Sequence, residues 1–179
     1  MKKILKFILS LIICQAAAAA GALVTAPAID NWYLALDKPG FTPSGSFIGA
    51  VWTVLYVLMS ISLYLVWARD WQVRQISSAK TLRAWNRFSQ ELYAGSWQKK
   101  NIILIFCAQL VLNILWSVIF FGFEEPGWAF FELAALWMAI LYTIINFYRV
   151  SRPAAYLLLP YIFWVTFAGY LNFTIWQMN

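Results

Sequence analysis

The chain contains no histidine. That single absence removes the commonest zinc ligand, haem ligand and general base together. Cysteine is scarce: Cys14 and Cys107 each lie inside an apolar run, with no CxxC partner. This excludes a disulfide framework and a thiolate metal site, and both read as small core residues. Charge is scarce as well. Only 11% of the 179 residues are charged, where a soluble domain carries about a quarter. What fills the space is apolar: 63% of residues are hydrophobic and the mean hydropathy is +0.70. One buried core cannot absorb that excess, so the apolar solvent is lipid.

Five apolar stretches stand near the ~20 residues a helix needs to cross the hydrocarbon core. They run over about 4–26, 46–68, 101–123, 127–148 and 153–178. Unpaired backbone is not tolerated in lipid, so each must be a helix. The expected fold is an all-α membrane protein, a five-transmembrane-helix bundle forming one domain over 1–179. The N-terminal run begins like a signal peptide, but its apolar stretch continues through Val24, so it reads as a retained first span. Pro27, Pro39, Gly40, Pro43 and Gly45 punctuate the first loop, Glu124-Glu125-Pro126-Gly127 the third and Ser151-Arg152-Pro153 the fourth. Pro160 falls inside the fifth stretch and should kink it.

The net charge of +6 could suggest nucleic acid, but its distribution argues for topology instead. Lys2, Lys3 and Lys6 stand at the N-terminus. Arg69, Arg74, Lys80, Arg83, Arg87, Lys99 and Lys100 occupy loop 69–100, and Arg149 and Arg152 the fourth loop. Five alternating spans put all of these on one side and leave only Lys38 on the other, with Asp30, Asp37, Glu124 and Glu125. The positive-inside rule then gives the N-terminus inside and the C-terminus outside. Within loop 69–100, Leu82, Trp85, Phe88, Leu92 and Tyr93 fall at mostly helical spacing among the charges. The loop is either a basic helix on the membrane surface or a solvated connection.

Tryptophan is abundant, with eleven residues. Trp32, Trp67, Trp71, Trp128 and Trp176 fall at span ends, as an interfacial belt requires. Trp52, Trp116, Trp137 and Trp164 do not. At 1.5 Å per residue, Trp52 and Trp116 lie roughly 10 Å below the outer face, Trp137 about 15 Å and Trp164 about 20 Å. Asn113 lies about 15 Å down and Asn172 about 9 Å by the same count. Tyr56 stands one turn below Trp52 on the same face. Gln109, Asn113, Trp116 and Ser117 form one stripe of the third span. Such amides are either helix–helix glue or polar points in a shared aromatic cavity suited to a flat apolar ligand. Ala17, Gly21 and Thr25 give small-xxx-small spacing, open to close approach within the bundle or in a dimer. Glu132, the one acidic residue well inside a span, is either a structural carboxyl or a proton-transfer group.

The segments Trp32-Tyr33-x3-Asp37-Lys38-Pro39-x-Phe41-x-Pro43 and Val51-Trp52-Thr53-x-Leu55-Tyr56 resemble the TspO/MBR family, the tryptophan-rich sensory proteins related to translocator protein. So do Gln109-Leu110-x-Leu112-Asn113-x2-Trp116-Ser117-x2-Phe120-Phe121 and Leu158-Leu159-Pro160-Tyr161-x2-Trp164-Val165-x-Phe167-Ala168-x2-Leu171-Asn172. The resemblance covers all five spans in order. It implies a membrane receptor or sensor, often homodimeric, that binds porphyrins such as protoporphyrin IX or haem, and in some members sterol or benzodiazepine-type drugs. Carried over by motif, the ligand-binding residues would be Trp52, Tyr56, Asn113, Trp116, Trp137, Trp164 and Ala168, below the first loop. No resident cofactor or metal is required. The lone outer cation, Lys38, would meet porphyrin carboxylates or serve as a solubilising charge. Trp52 and Trp164 are the candidate catalytic residues if the protein is instead a light-dependent porphyrin-degrading enzyme, and a porphyrin or lipid transporter is the third reading. The basic N-terminus suits a bacterial cell membrane. The chain departs from the family at Pro43-Ser44, where a second proline is usual, and in the length of loop 69–100. No Lys or Arg follows Arg152 to complete a sterol motif.

Overall fold

The computed structural model describes residues 2–69 and 99–179. Its elements are α1 (Lys2–Ala28), α2 (Gly45–Ala68), α3 (Lys99–Ser117), α4 (Pro126–Val150), the short α5 (Arg152–Tyr156) and α6 (Leu159–Met178). A π-helical turn, Ile29–Tyr33, extends α1, and another, Val118–Gly122, extends α3. Counted with these extensions, and with α5 and α6 together, five helical segments are long and apolar enough to cross a membrane. The described residues contain no strand. This is the expected all-α, five-helix, multi-pass membrane architecture. The basic loop falls outside the described residues apart from its ends.

Local chemistry sets the helix boundaries. Ser44 caps α2 by accepting from the Phe47 N–H at 3.3 Å. Pro126 opens α4, where its missing N–H would have been unpaired in any case. The tight turn before it places Glu124 at φ 59°, in the left-handed region. At the end where the basic residues gather, cations cap helix carbonyls: Lys6 Nζ donates to Trp67 O at 3.3 Å, and the Arg69 guanidinium donates to Val150 O.

The prolines of the first and last spans act differently. Pro27 does not end the first span: α1 runs through it to Ala28 and continues as the π-turn. Asn31 Nδ2 donates to Pro27 O at 3.2 Å. Pro160 interrupts the fifth span, as expected. The break comes earlier, at Leu157–Leu158, and Pro160 sits in the first turn of α6. There Leu158 N donates to Ala155 O at 3.1 Å instead of reaching Ala154 O. The freed Ala154 carbonyl is satisfied from another span, by Ser62 Oγ at 2.7 Å.

The helices close around one main core containing Met59, Leu63, Val66, Phe106 and Phe147, all at 0% exposure. Phe106 and Phe147 stack at 5.6 Å between α3 and α4. The small residues of α1 are used inside the bundle. Ala17 and Gly21 are buried, and a Cβ on Gly21 would meet Ser117 Oγ of α3 at 3.4 Å.

Candidate functional site

Three spans meet at Asn113. Tyr56 Oη of α2 donates to Asn113 Oδ1 at 2.5 Å, and Asn113 Nδ2 donates to Tyr161 Oη of α6 at 3.0 Å. All three side chains are buried. Trp52 packs on the pair of tyrosines, 5.8 Å from Tyr56 and 6.1 Å from Tyr161. Asn113 is therefore helix–helix glue, using amide and carbonyl at once. Tyr161 had no place among the sequence candidates. The signal for it was available: it lies one turn before Trp164, and a buried Asn113 needs more than one partner.

A second network sits towards the other end of α6. Trp116 Nε1 donates to Asn172 Oδ1 at 3.0 Å, and Asn172 Nδ2 donates to Pro126 O at 2.7 Å. Trp116 stacks on Phe120 at 5.2 Å, within a cluster that takes in Trp32, Tyr33 and Phe121. Trp32, half-buried at the end of the first span, also packs 5.4 Å from Phe120. Trp137 is half-buried on the α4–α6 seam, its Nε1 donating to Thr166 Oγ1 at 2.9 Å.

The open space lies between α2 and α6. A groove of about 530 Å³ is lined by Val51, Val54, Leu55 and Leu58 from one side and by Pro160, Phe163, Trp164 and Phe167 from the other, with Ala50 at its edge. None of these side chains ionises. Aromatic rings form a column along it: Phe47 to Trp164 at 6.3 Å, Trp164 to Phe167 at 5.5 Å, and Phe167 to Phe41 at 6.5 Å. Ala168, half-buried, adjoins Phe167 on α6. The Trp164 indole N–H is buried with no hydrogen-bond partner. Of the sequence candidates, Trp164 lines the groove. Trp52, Tyr56 and Asn113 form the closed network beside it, and Trp116 and Trp137 are held elsewhere by their own hydrogen bonds. Phe41 and Phe167 stand inside the quoted motifs but were not among the ligand-binding candidates, and Phe47 lies between two of the motifs.

The first loop lies across this end of the bundle. Phe41 stacks on Tyr170 of α6 at 5.4 Å, with 18° between the rings. Asn179 clasps Asp37 twice: the Asp37 N–H donates to Asn179 Oδ1 at 3.0 Å, and Asn179 Nδ2 donates to Asp37 O at 3.1 Å. Lys38 folds back on the preceding helix. Its Nζ donates to Tyr33 O at 2.5 Å, Leu36 O at 3.0 Å and Leu34 O at 3.3 Å, and stands 4.7 Å over the Tyr33 ring.

Two further polar groups are buried without partners, the Gln109 amide of α3 and the Glu132 carboxylate of α4. Among the described residues, no three His, Cys, Asp or Glu side chains gather to hold a metal.

A model of the TspO/MBR family matches residues 10–177. The chain is 35% identical to the tryptophan-rich protein TspO of Archaeoglobus fulgidus over 176 residues, covering 98% of each. It is 33% identical to the tryptophan-rich protein TspO of Chlorobaculum tepidum over 178 residues, covering 99% of this chain and 98% of that one. Human translocator protein is 33% identical over 151 residues, which cover 83% of this chain and 75% of the human one.

Proposed function

We propose, from the premise that the chain belongs to the TspO/MBR family, that it is a membrane receptor for a flat apolar ligand of the tetrapyrrole class. The ligand enters the groove between α2 and α6, below the first loop. One observation carries this reading: the 530 Å³ groove pairs an apolar, aromatic wall with a single buried donor, the unpartnered Trp164 indole N–H. That volume falls within the range of small-molecule sites, which are mostly apolar with a few placed polar groups. A porphyrin stacks on the Phe47–Trp164–Phe167 column, with Trp52, Tyr56 and Asn113 stiffening the wall behind. Ala168 adjoins Phe167 of the α6 wall, and Lys38 meets a propionate by exchanging one of its backbone carbonyls. The lining offers no acid, base or nucleophile, so binding is favoured over acid–base catalysis. The membrane is the bacterial cell membrane, with the N-terminus inside and a homodimer as the assembled form.

The test is a titration of protoporphyrin IX into detergent-purified protein, read by tryptophan quenching, for wild type, Trp164→Phe and Trp52→Phe, in darkness and then in light. Saturable binding that weakens about fivefold in Trp164→Phe, as expected for loss of roughly 1 kcal/mol of aromatic contact, supports the receptor. Bleaching of the porphyrin in light with wild type alone would move the assignment to a photo-oxidising enzyme. Absence of saturable quenching would remove tetrapyrroles from consideration.

A further inference from the structure

A second groove, of about 510 Å³, lies between the end of the α3 segment and the start of α4. Ile119 and Phe123, from the end of the α3 segment, form one wall. Glu125, Trp128, Phe131 and Glu132, from the start of α4, form the other. The groove faces lipid, since Trp128 is 70% and Phe131 58% exposed. Glu125 stands at its mouth. Glu132 follows about 9 Å deeper, six residues along the helix from Pro126.

Glu132 is the unusual member. Its side chain lines the groove, yet both carboxylate oxygens are covered and neither has a hydrogen-bond partner. A carboxylate at lipid depth without a partner is costly, and it is resolved by a proton or by a cation. The chain supplies no cation here: no Lys or Arg occurs between residues 101 and 148. Lys38, the one basic residue of the first loop, is engaged with three carbonyls. A cation in the groove would meet this carboxylate after a change of the Glu132 rotamer.

We propose that this groove is a binding site for hydrophobic monovalent cations that partition into the bilayer. The cation is held by Glu132 and by the faces of Trp128 and Phe131, and is drawn in by Glu125 at the mouth. Aromatic faces and a desolvated carboxylate are complementary to a diffuse positive charge in an apolar body. A zwitterionic lipid headgroup fits less well, because its phosphate would stand against Glu124 and Glu125. The site shares no lining residue with the groove between α2 and α6, so its fate is independent of the tetrapyrrole reading.

Tetraphenylphosphonium and tetraphenylborate have the same shape and opposite charge, and they serve as probe and control. Purified protein in an uncharged detergent is dialysed to equilibrium against each. Tetraphenylphosphonium should bind saturably, one per chain, about tenfold more weakly in Glu132→Gln and severalfold more weakly in Trp128→Ala. Tetraphenylborate should not saturate. Glu132→Gln conserves shape and removes only the charge, and its thermal unfolding midpoint confirms that it is folded. Trp128→Ala, at a lipid-facing position, is the second variant. Equal binding of both ions, undiminished binding in Glu132→Gln, or only non-saturable uptake would each overturn the proposal.

Discussion

The Tyr56–Asn113–Tyr161 chain invites a quantitative perturbation. Tyr56→Phe deletes one hydroxyl and leaves the packing against Trp52 intact. It also strips Asn113 Oδ1 of its donor in a site where water does not reach. Leaving a buried acceptor unpaired costs about 1–3 kcal/mol. Interhelical hydrogen bonds measured in membranes average only about 0.6 kcal/mol, because the unfolded reference also finds partners. The present bond is buried and joins α2 to a residue already committed to α6, so we expect a loss of about 1–2 kcal/mol. Asn113→Leu should cost about as much or more, since it orphans both tyrosine hydroxyls. The informative quantity is the double mutant. With Leu at 113 the Tyr56 hydroxyl has lost its acceptor, so adding Tyr56→Phe should cost nothing or restore stability. Reversible unfolding by sodium dodecyl sulfate in mixed micelles, followed by circular dichroism, gives all four corners of the cycle. A coupling of about 1 kcal/mol or more is expected. Additive single effects would refute the claim that Asn113 acts as a joint between spans.

Three further outcomes follow from other parts of the structure. Asn179→Ala removes both clasps on Asp37 and should raise hydrogen exchange across residues 36–44 with little change in the α1–α4 core. Unchanged exchange would mean that the Phe41–Tyr170 stack alone holds the loop. At Glu124, with φ 59°, replacement by Val should cost about 1–2 kcal/mol while Gly is tolerated, since a branched Cβ is the strained element there. Equal melting temperatures for the two variants would contradict this. In a background lacking Cys14 and Cys107, a cysteine at Gly40 should react with an impermeant maleimide added outside intact cells and one at Arg152 should not. The reverse pattern would invert the proposed topology.

The bundle was legible because lipid imposes a coarse rule. A span needs length and apolarity, both of which can be counted, and the third and fourth turns announce themselves through Pro126, Gly127 and Pro153. The site was legible only in part. Trp52, Tyr56, Asn113 and Trp164 stood out because a polar or amphipathic group at that depth demands a reason. Phe41, Phe47 and Phe167 did not, since an apolar ring in an apolar run makes no such demand, and only three-dimensional placement turns them into a column. Lys38 shows the converse. A lone cation in a sequence points to solvent or ligand, but nothing in the string says that three carbonyls from the end of the first helix converge on it. Pro27 misled for a related reason: a proline marks a helix end only as a tendency, and in a membrane span the neighbouring groups can hold the helix through it.

The break between α5 and α6 bears on how the protein is made. The Ala154 carbonyl loses its own helical partner and takes a hydroxyl from Ser62, ninety-two positions earlier in the chain. The last span is therefore incomplete as a free segment in hydrocarbon, where an unpaired carbonyl is costly. Its lowest-energy form exists only after it has docked beside α2. Insertion and docking of this span are thereby linked, so assembly of the bundle is a late, concerted event rather than five independent insertions. Ser62, on an earlier span, supplies the donor once the later span reaches it.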